Sequence, residues 1–205
     1  NLKQKEIDMK NPNPFVAAAT DPTLEAFGRR YPMELKSIKF NAHFTRETHC
    51  FSATVHLDGK AVMKVENDGN GGAHNYYPVH GQSRESFKIM FDEACDSAYE
   101  SLDDSVREEY RSLLINNPYA KSTALEWVIT ELLNEHLCLK EMRRHLKSKV
   151  TIFDGHEKRI YFYKAKPTKE NISYFKSKTK KDAGIVWLND LPEHEAMVYW
   201  RRAEG

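Results

Sequence analysis

Cys50-Phe51-Ser52-Ala53-Thr54-Val55-His56-Leu57-Asp58-Gly59-Lys60-Ala61-Val62-Met63-Lys64-Val65-Glu66 reads as two alternating runs around a turn. Phe51, Ala53, Val55 and Leu57 share one side of the first run. Asp58-Gly59 supplies the positive φ angles of a tight hairpin, and Ala61 to Glu66 returns. A two-residue loop pairs Val55 with Val62, and a three-residue loop pairs Val55 with Met63. The two registers send different residues inward, and both stay open. Upstream, Glu34 to Phe44 alternates as well, with Ile38, Phe40, Ala42 and Phe44 on one side and Lys39, Asn41 and His43 on the other, as a half-buried strand does. Three antiparallel strands with one apolar face need helices to cover it.

Those helices follow in the chain. Glu66 to Gln82 is a long glycine-rich loop, after which Ser83 caps a helix to about Leu102 with Phe87, Met90, Phe91, Ala94, Cys95 and Ala98 on its apolar face. A short helix, Ser105 to Leu114, is stopped by Asn116-Asn117-Pro118. The strongest element is Ser122 to about Lys147, apolar at Leu125, Val128, Ile129, Leu132, Leu133, Leu137, Leu139, Met142 and Leu146. Such a helix is roughly 39 Å long. Its apolar band is wider than a coiled-coil seam, which favours a core role over the homodimer contact it would also suit. Next come Val150 to Phe153, a turn at Asp154-Gly155, Arg159 to Tyr163, a Thr168-capped helix to about Lys178, a short strand Ile185 to Leu188, and a terminal helix Pro192 to Arg202.

Strands and helices cluster in runs and do not alternate, so the class is α+β. The expected architecture is an antiparallel three-stranded N-terminal sheet, a central helical segment with one long amphipathic helix, and a C-terminal ββαβα unit. Residues 1–33 read as an arm, broken at Asn11-Pro12-Asn13-Pro14, plus a short helix from Thr23 to Arg30. Residues 34–148 form the strands and helices, and 149–205 the basic C-terminal unit, either separate or continuous with what precedes it.

Among the 205 residues, 40% are hydrophobic and 30% charged, an ordinary globular balance. Cys50, Cys95 and Cys138 form no CxxC pair, which favours a reducing, cytoplasmic setting. No apolar run approaches the ~20 residues of a membrane span, and residues 1–10 carry no signal-peptide apolar segment. With no initiator Met, the chain is expected to be trimmed or to start upstream of Asn1.

The net charge of +1 conceals segregation. Asp92 to Glu109 holds eight acids against one base, a net −7. Lys140 to Lys181 holds fourteen bases against four acids, a net +10. Lys140, Arg143, Arg144 and Lys147 fall on one side of the long helix, and Lys149, Lys158, Arg159, Lys164 and Lys166 follow, interleaved with Tyr161, Tyr163, Tyr174 and Phe175. A basic surface with aromatic interleaving can meet phosphate, nucleic acid or an acidic protein face. The same charges would otherwise serve as a solvated surface or pair internally.

The loop from Glu66 to Tyr77 is the other candidate. Its glycines permit the backbone concavities that bind anions. Asp68, Asn70, His74, Tyr76 and Tyr77 are its chemically able side chains, and they would line a ligand pocket. The spacing fits neither a phosphate-binding loop, nor a dinucleotide fingerprint, nor a calcium loop. A conformationally special loop packed by Tyr76 and Tyr77 is the alternative. Nine histidines form no HxH or HExxH pattern and no quartet with cysteine, so neither a metal nor a cofactor is expected. Ser52 and Cys50 lie in a strand, a poor place for a nucleophile, and no catalytic residue is assigned.

Thr45-Arg46-Glu47-Thr48-His49-Cys50-Phe51-Ser52-Ala53, Asp58-Gly59-Lys60, the Glu66 to Tyr77 loop and Trp187-Leu188-Asn189-Asp190-Leu191-Pro192-Glu193 together resemble small accessory proteins of phages and mobile elements. The resemblance covers about a third of the chain and carries no catalytic residue. It implies a protein that acts stoichiometrically, occluding a host defence complex such as a CRISPR effector or a restriction enzyme. The expectation is therefore a non-enzymatic binding protein with a host macromolecule, protein or ribonucleoprotein, as partner and no membrane contact. The alternatives are a nucleic-acid binder using residues 140–181, and a small-ligand binder or enzyme built on the 66–82 loop.

Overall fold

In the computed structural model, residues 31–104, 106–108, 120–179 and 184–203 are described. The expected N-terminal arm, the Thr23 to Arg30 helix, and most of the Ser105 to Leu114 helix with its stop lie outside them. The class is α+β, with an antiparallel N-terminal sheet and C-terminal strands and helices. The chain divides into two compact units. One runs to Glu135 and the other starts at His136.

The first unit contains a four-stranded antiparallel sheet in the order β1 (Met33–Phe40), β2 (Cys50–Leu57), β3 (Lys60–Asp68), β4 (Asn75–Tyr77). The Asp58-Gly59 hairpin settles both open registers at once. Asp58 and Gly59 take φ of 50° and 80°, as a primed two-residue turn needs, so Leu57 pairs Lys60 and His56 pairs Ala61. A bulge then inserts Val62, and Val55 pairs Met63. Val62 and Met63 are in consequence both buried.

A second bulge lies in β1 between Lys36 and Lys39, where Ser37 takes φ 54°. It shifts the alternation by one residue. Leu35 opposes Val55, and Phe40 opposes Phe51. The strand also stops at Phe40, because Asn41 begins a hydrogen-bonded turn: Asn41 N donates to Cys50 O and Phe44 N to Asn41 O. The strand expected to continue through Ala42 and Phe44 does not, and Phe44 stands 58% exposed. The expected three-stranded sheet gains β4 from within the presumed loop, paired with β3 at Asn75–Glu66, Tyr76–Val65 and Tyr77–Lys64.

The inner face of this sheet presents Phe51, Ala53, Val55, Met63 and Val65, all buried. Helix α1 (Arg84–Glu100) lies against β3 and buries Ala94, Cys95 and Ala98. It starts as expected, with the Ser83 side chain accepting from Ser86 N. Helix α2 (Ala120–Ser148) contributes Ala124, Leu125, Val128, Ile129 and Leu133 to the buried set before the division at Glu135. Each fully buried branched aliphatic or Met side chain contributes about 1.5–3 kcal/mol.

The second unit has a three-stranded antiparallel sheet, β6 (Arg159–Tyr163), β5 (Val150–Asp154), β7 (Ile185–Trp187). One face supplies Phe153, Ile160 and Phe162 to a core with Met142, Leu188, Ala196, Met197 and Trp200, the latter from helix α4 (Glu193–Arg202). Helix α3 (Lys169–Lys178), capped by Thr168, places Phe175 flat on Tyr163 at 4.0 Å. Asn189, in a single 3-10 turn after β7, ties the parts together. Its amide donates to Leu146 O and Lys149 O at the end of α2 and accepts from Thr151 N in β5.

Candidate functional site

The glycine-rich loop is built around Asn67. Continuing the inward parity of Met63 and Val65, Asn67 is 4% exposed on β3. Its four hydrogen-bonding positions are all used. Oδ1 accepts from Thr48 Oγ1 at 2.7 Å and Gly69 N at 2.9 Å. Nδ2 donates to Gly72 O at 3.2 Å and His74 Nδ1 at 3.1 Å. The Thr48 hydroxyl also accepts from Gly71 N. The Gly69 carbonyl then receives the backbone N–H groups of Arg46, Glu47 and Thr48 at 3.0, 3.1 and 3.4 Å. Three successive amides converging on one oxygen form a nest of the kind that holds anions. Here the chain itself fills it.

Gly69 has no substitute at this place. Its φ is +86°, and a Cβ would stand 2.1 Å from Phe44 O and 2.8 Å from Cys50 Cβ. Gly71, at φ +92°, lies under the Glu47 carboxylate. The loop from Asn41 to His49 and the loop from Asp68 to His74 are thus interlocked.

His74 latches the pair onto α2. With Nδ1 accepting from Asn67, Nε2 carries the proton and donates to Thr130 Oγ1 at 3.2 Å, whose hydroxyl donates to Glu126 O. The backbone N–H of His74 donates to Glu126 Oε1. Burial, with His49 adding to it, lowers the imidazole pKa to about 4. Burial raises the Glu126 pKa, offset in part by the His74 N–H. His49 makes a parallel tie through Nε2 to Asn134 Oδ1 at 2.8 Å.

The five loop residues singled out by sequence do not converge. His74 and Tyr76 point inward. The Tyr76 ring meets Phe91 edge-on at 5.2 Å, and its buried hydroxyl has no partner among the described residues; burial raises its pKa. Asp68, Asn70 and Tyr77 are exposed, and Asp68 Oδ1 accepts from Asn70 N in a local turn that lowers the Asp68 pKa. Asp68 and Tyr77 instead line a shallow depression of about 520 Å³ on the outer sheet face, with Lys39, Ser52, Glu66 and Asn75. Asn67 was missing from the sequence candidates, although its parity with Met63 and Val65 marks it as inward. Among the described residues, no group of three His, Cys, Asp or Glu side chains is placed to hold a metal ion.

The basic candidates all lie in the second unit and divide into two groups. On α2, Arg143 is held bidentately by Glu193 at 2.7 and 2.6 Å and Arg144 faces Glu141 at 3.8 Å; just past its end, the Lys149 ammonium sits 3.7 Å over the Phe162 ring. Lys140 and Lys147 are exposed without an ion pair among the described residues. Burial, then Lys140 and Arg143, lowers the His136 pKa, so it adds little positive charge there. From β6 through α3 the balance differs. Residues 158–178 carry seven bases and the single acid Glu170. Lys158, Lys166, Lys169 and Lys178 are exposed with no ion pair among the described residues, while Lys176 pairs with Asp190 at 2.5 Å. Arg159 and Lys164 are exposed as well.

No described helix is long and apolar enough to cross a membrane. The chain matches no family model, and no curated protein and no solved structure is significantly similar to it.

Proposed function

We propose that the protein is a non-enzymatic binding protein whose contact surface is the basic layer from β6 through α3. In this reading it acts as a phage or mobile-element inhibitor, occluding a host defence complex stoichiometrically in the cytoplasm. The observation that carries it is the run of exposed lysines at 158, 166, 169 and 178, with no ion pair among the described residues, together with a glycine-rich loop whose Asn67 and His74 side chains are consumed by its own folding. A general base or metal ligand needs a ring nitrogen with a free lone pair, and His74 has none.

The test is affinity capture from host lysate, followed by titration of the recovered complex in pure form. Inhibition should saturate near one equivalent. Reversal of Lys158, Lys166, Lys169 and Lys178 to Glu should relieve it without unfolding the protein. Turnover at substoichiometric protein, or full inhibition by the reversed variant, would refute the reading.

A further inference from the structure

The basic layer contains an aromatic side chain that the core does not need. Phe175 packs α3 onto the sheet by stacking on Tyr163, with ring planes 13° apart. The next residue back, Tyr174, lies about 100° round the helix and stands 46% exposed. It is not a loose side chain. Its ring rests edge-on against Phe175 at 5.4 Å, and the Lys178 ammonium lies 5.8 Å from its centroid, one helical turn on. The helix beneath is capped by Thr168 and closed by Ser177 and Thr179 hydroxyls donating to Tyr174 O and Phe175 O.

We infer that Tyr174, with Lys178 against its ring and Lys166 and Lys169 at the other end of α3, forms a stacking site for single-stranded nucleic acid. This deepens the reading of the basic layer as a binding face and rests on it. Charge complementarity selects a polyanion: the three lysines have no ion pair among the described residues, Glu170 is the one acid within residues 158–178, and Asp190 is taken up by Lys176. The exposed ring selects among polyanions. A base in a duplex has both faces covered by its neighbours, so a protein ring reaches it only in an unpaired strand. An acidic protein face satisfies the lysines and leaves the ring idle. One ring takes one base, so the site is sequence-tolerant and of modest affinity, and it suits the single-stranded part of a ribonucleoprotein.

The test uses the full chain and fluorescence anisotropy with labelled oligo(dT) of about 15 nucleotides, a duplex of equal length, and heparin. Oligo(dT) should bind more tightly than the duplex at about 50 mM salt. Tyr174→Ala should weaken oligo(dT) about 5- to 100-fold and leave heparin binding unchanged, while Tyr174→Trp retains the affinity. Exchanging the three lysines for Gln should lower the slope of log affinity against log salt by about 2. Equal binding of oligo(dT), duplex and heparin, with no effect of Tyr174→Ala, overturns the stacking site and leaves the basic face standing. Binding of none of the three overturns both.

Discussion

Asn67 and Gly69 show how a loop that looks like a ligand site can be spent on structure. A buried amide with all four positions satisfied fixes the geometry of everything bonded to it. The Gly69 carbonyl then receives three amides, which requires the chain to pass where a side chain would collide with Phe44 O and Cys50 Cβ. Gly72 has nearly the same φ, +89°, but nothing within 4 Å of a Cβ. The two glycines separate backbone strain from close approach. Gly72→Ala should cost only the left-handed penalty, about 1–2 kcal/mol. Gly69→Ala should cost about 3 kcal/mol or more, because the clash is with backbone. Urea denaturation of both variants checks this, and equal midpoints would show that the interlock is loose.

Between elements, the latch is the single imidazole of His74, held from β3 by Asn67 and from α2 by Thr130. It folds neutral, with its pKa lowered from 6.5 to about 4. The unfolded state therefore binds the proton more readily. The stabilisation is complete above pH 6.5, declines as the pH falls, and is gone near pH 4. Linkage over that interval amounts to about 2–3 kcal/mol, discounted for partial solvent access. Glu126, whose pKa is raised by burial, works the other way, but only once the pH approaches the carboxylate range. A His74→Gln variant should lose stability at pH 7 and show a flatter profile between pH 6.5 and 4.5 than the unaltered chain. Thermal melts across that interval measure it, and parallel profiles would remove His74 from the latch. The latch also marks the limit of what was legible. Helix starts at Ser83 and Thr168 were readable because a cap is a local event. The Asp58-Gly59 turn was readable, but the Val62 and Ser37 bulges were not, since a bulge is a backbone choice and an apolar pattern is compatible with more than one register. β4 is three residues long, between His74 and Pro78, so only its pairing with β3 defines it. Asn67 was legible by parity. His74 and Thr130 are 56 residues apart, and no spacing rule connects them.

For the molecule as a whole, charge segregation matters more than the total. A net +1 predicts weak interaction with either kind of ion exchanger, yet a net −7 stretch and a net +10 stretch lie within one chain. The exposed acids Asp92, Glu93, Asp96 and Glu100 belong to α1 in the first unit, and the unpaired lysines belong to the second. Of the acids, Asp96 pairs with Lys121, and of the α2 bases, Arg143 pairs with Glu193, so each unit neutralises a part of its own charge and not the rest. Exposed pairs of this kind contribute at most about 1 kcal/mol, so they trim the local fields without deciding the fold. What remains acts over roughly a Debye length, about 10 Å at 0.1 M salt, and a charged matrix samples patches and not sums. At neutral pH and low salt the protein should therefore be retained on both a cation and an anion exchanger. Changing Lys166, Lys169 and Lys178 to Gln removes three charges and takes the formal net charge from +1 to −2. That variant should elute much earlier from the cation exchanger and nearly unchanged from the anion exchanger. A shift of equal size on both columns would mean that the total governs, and the basic layer would lose its standing as a separate surface.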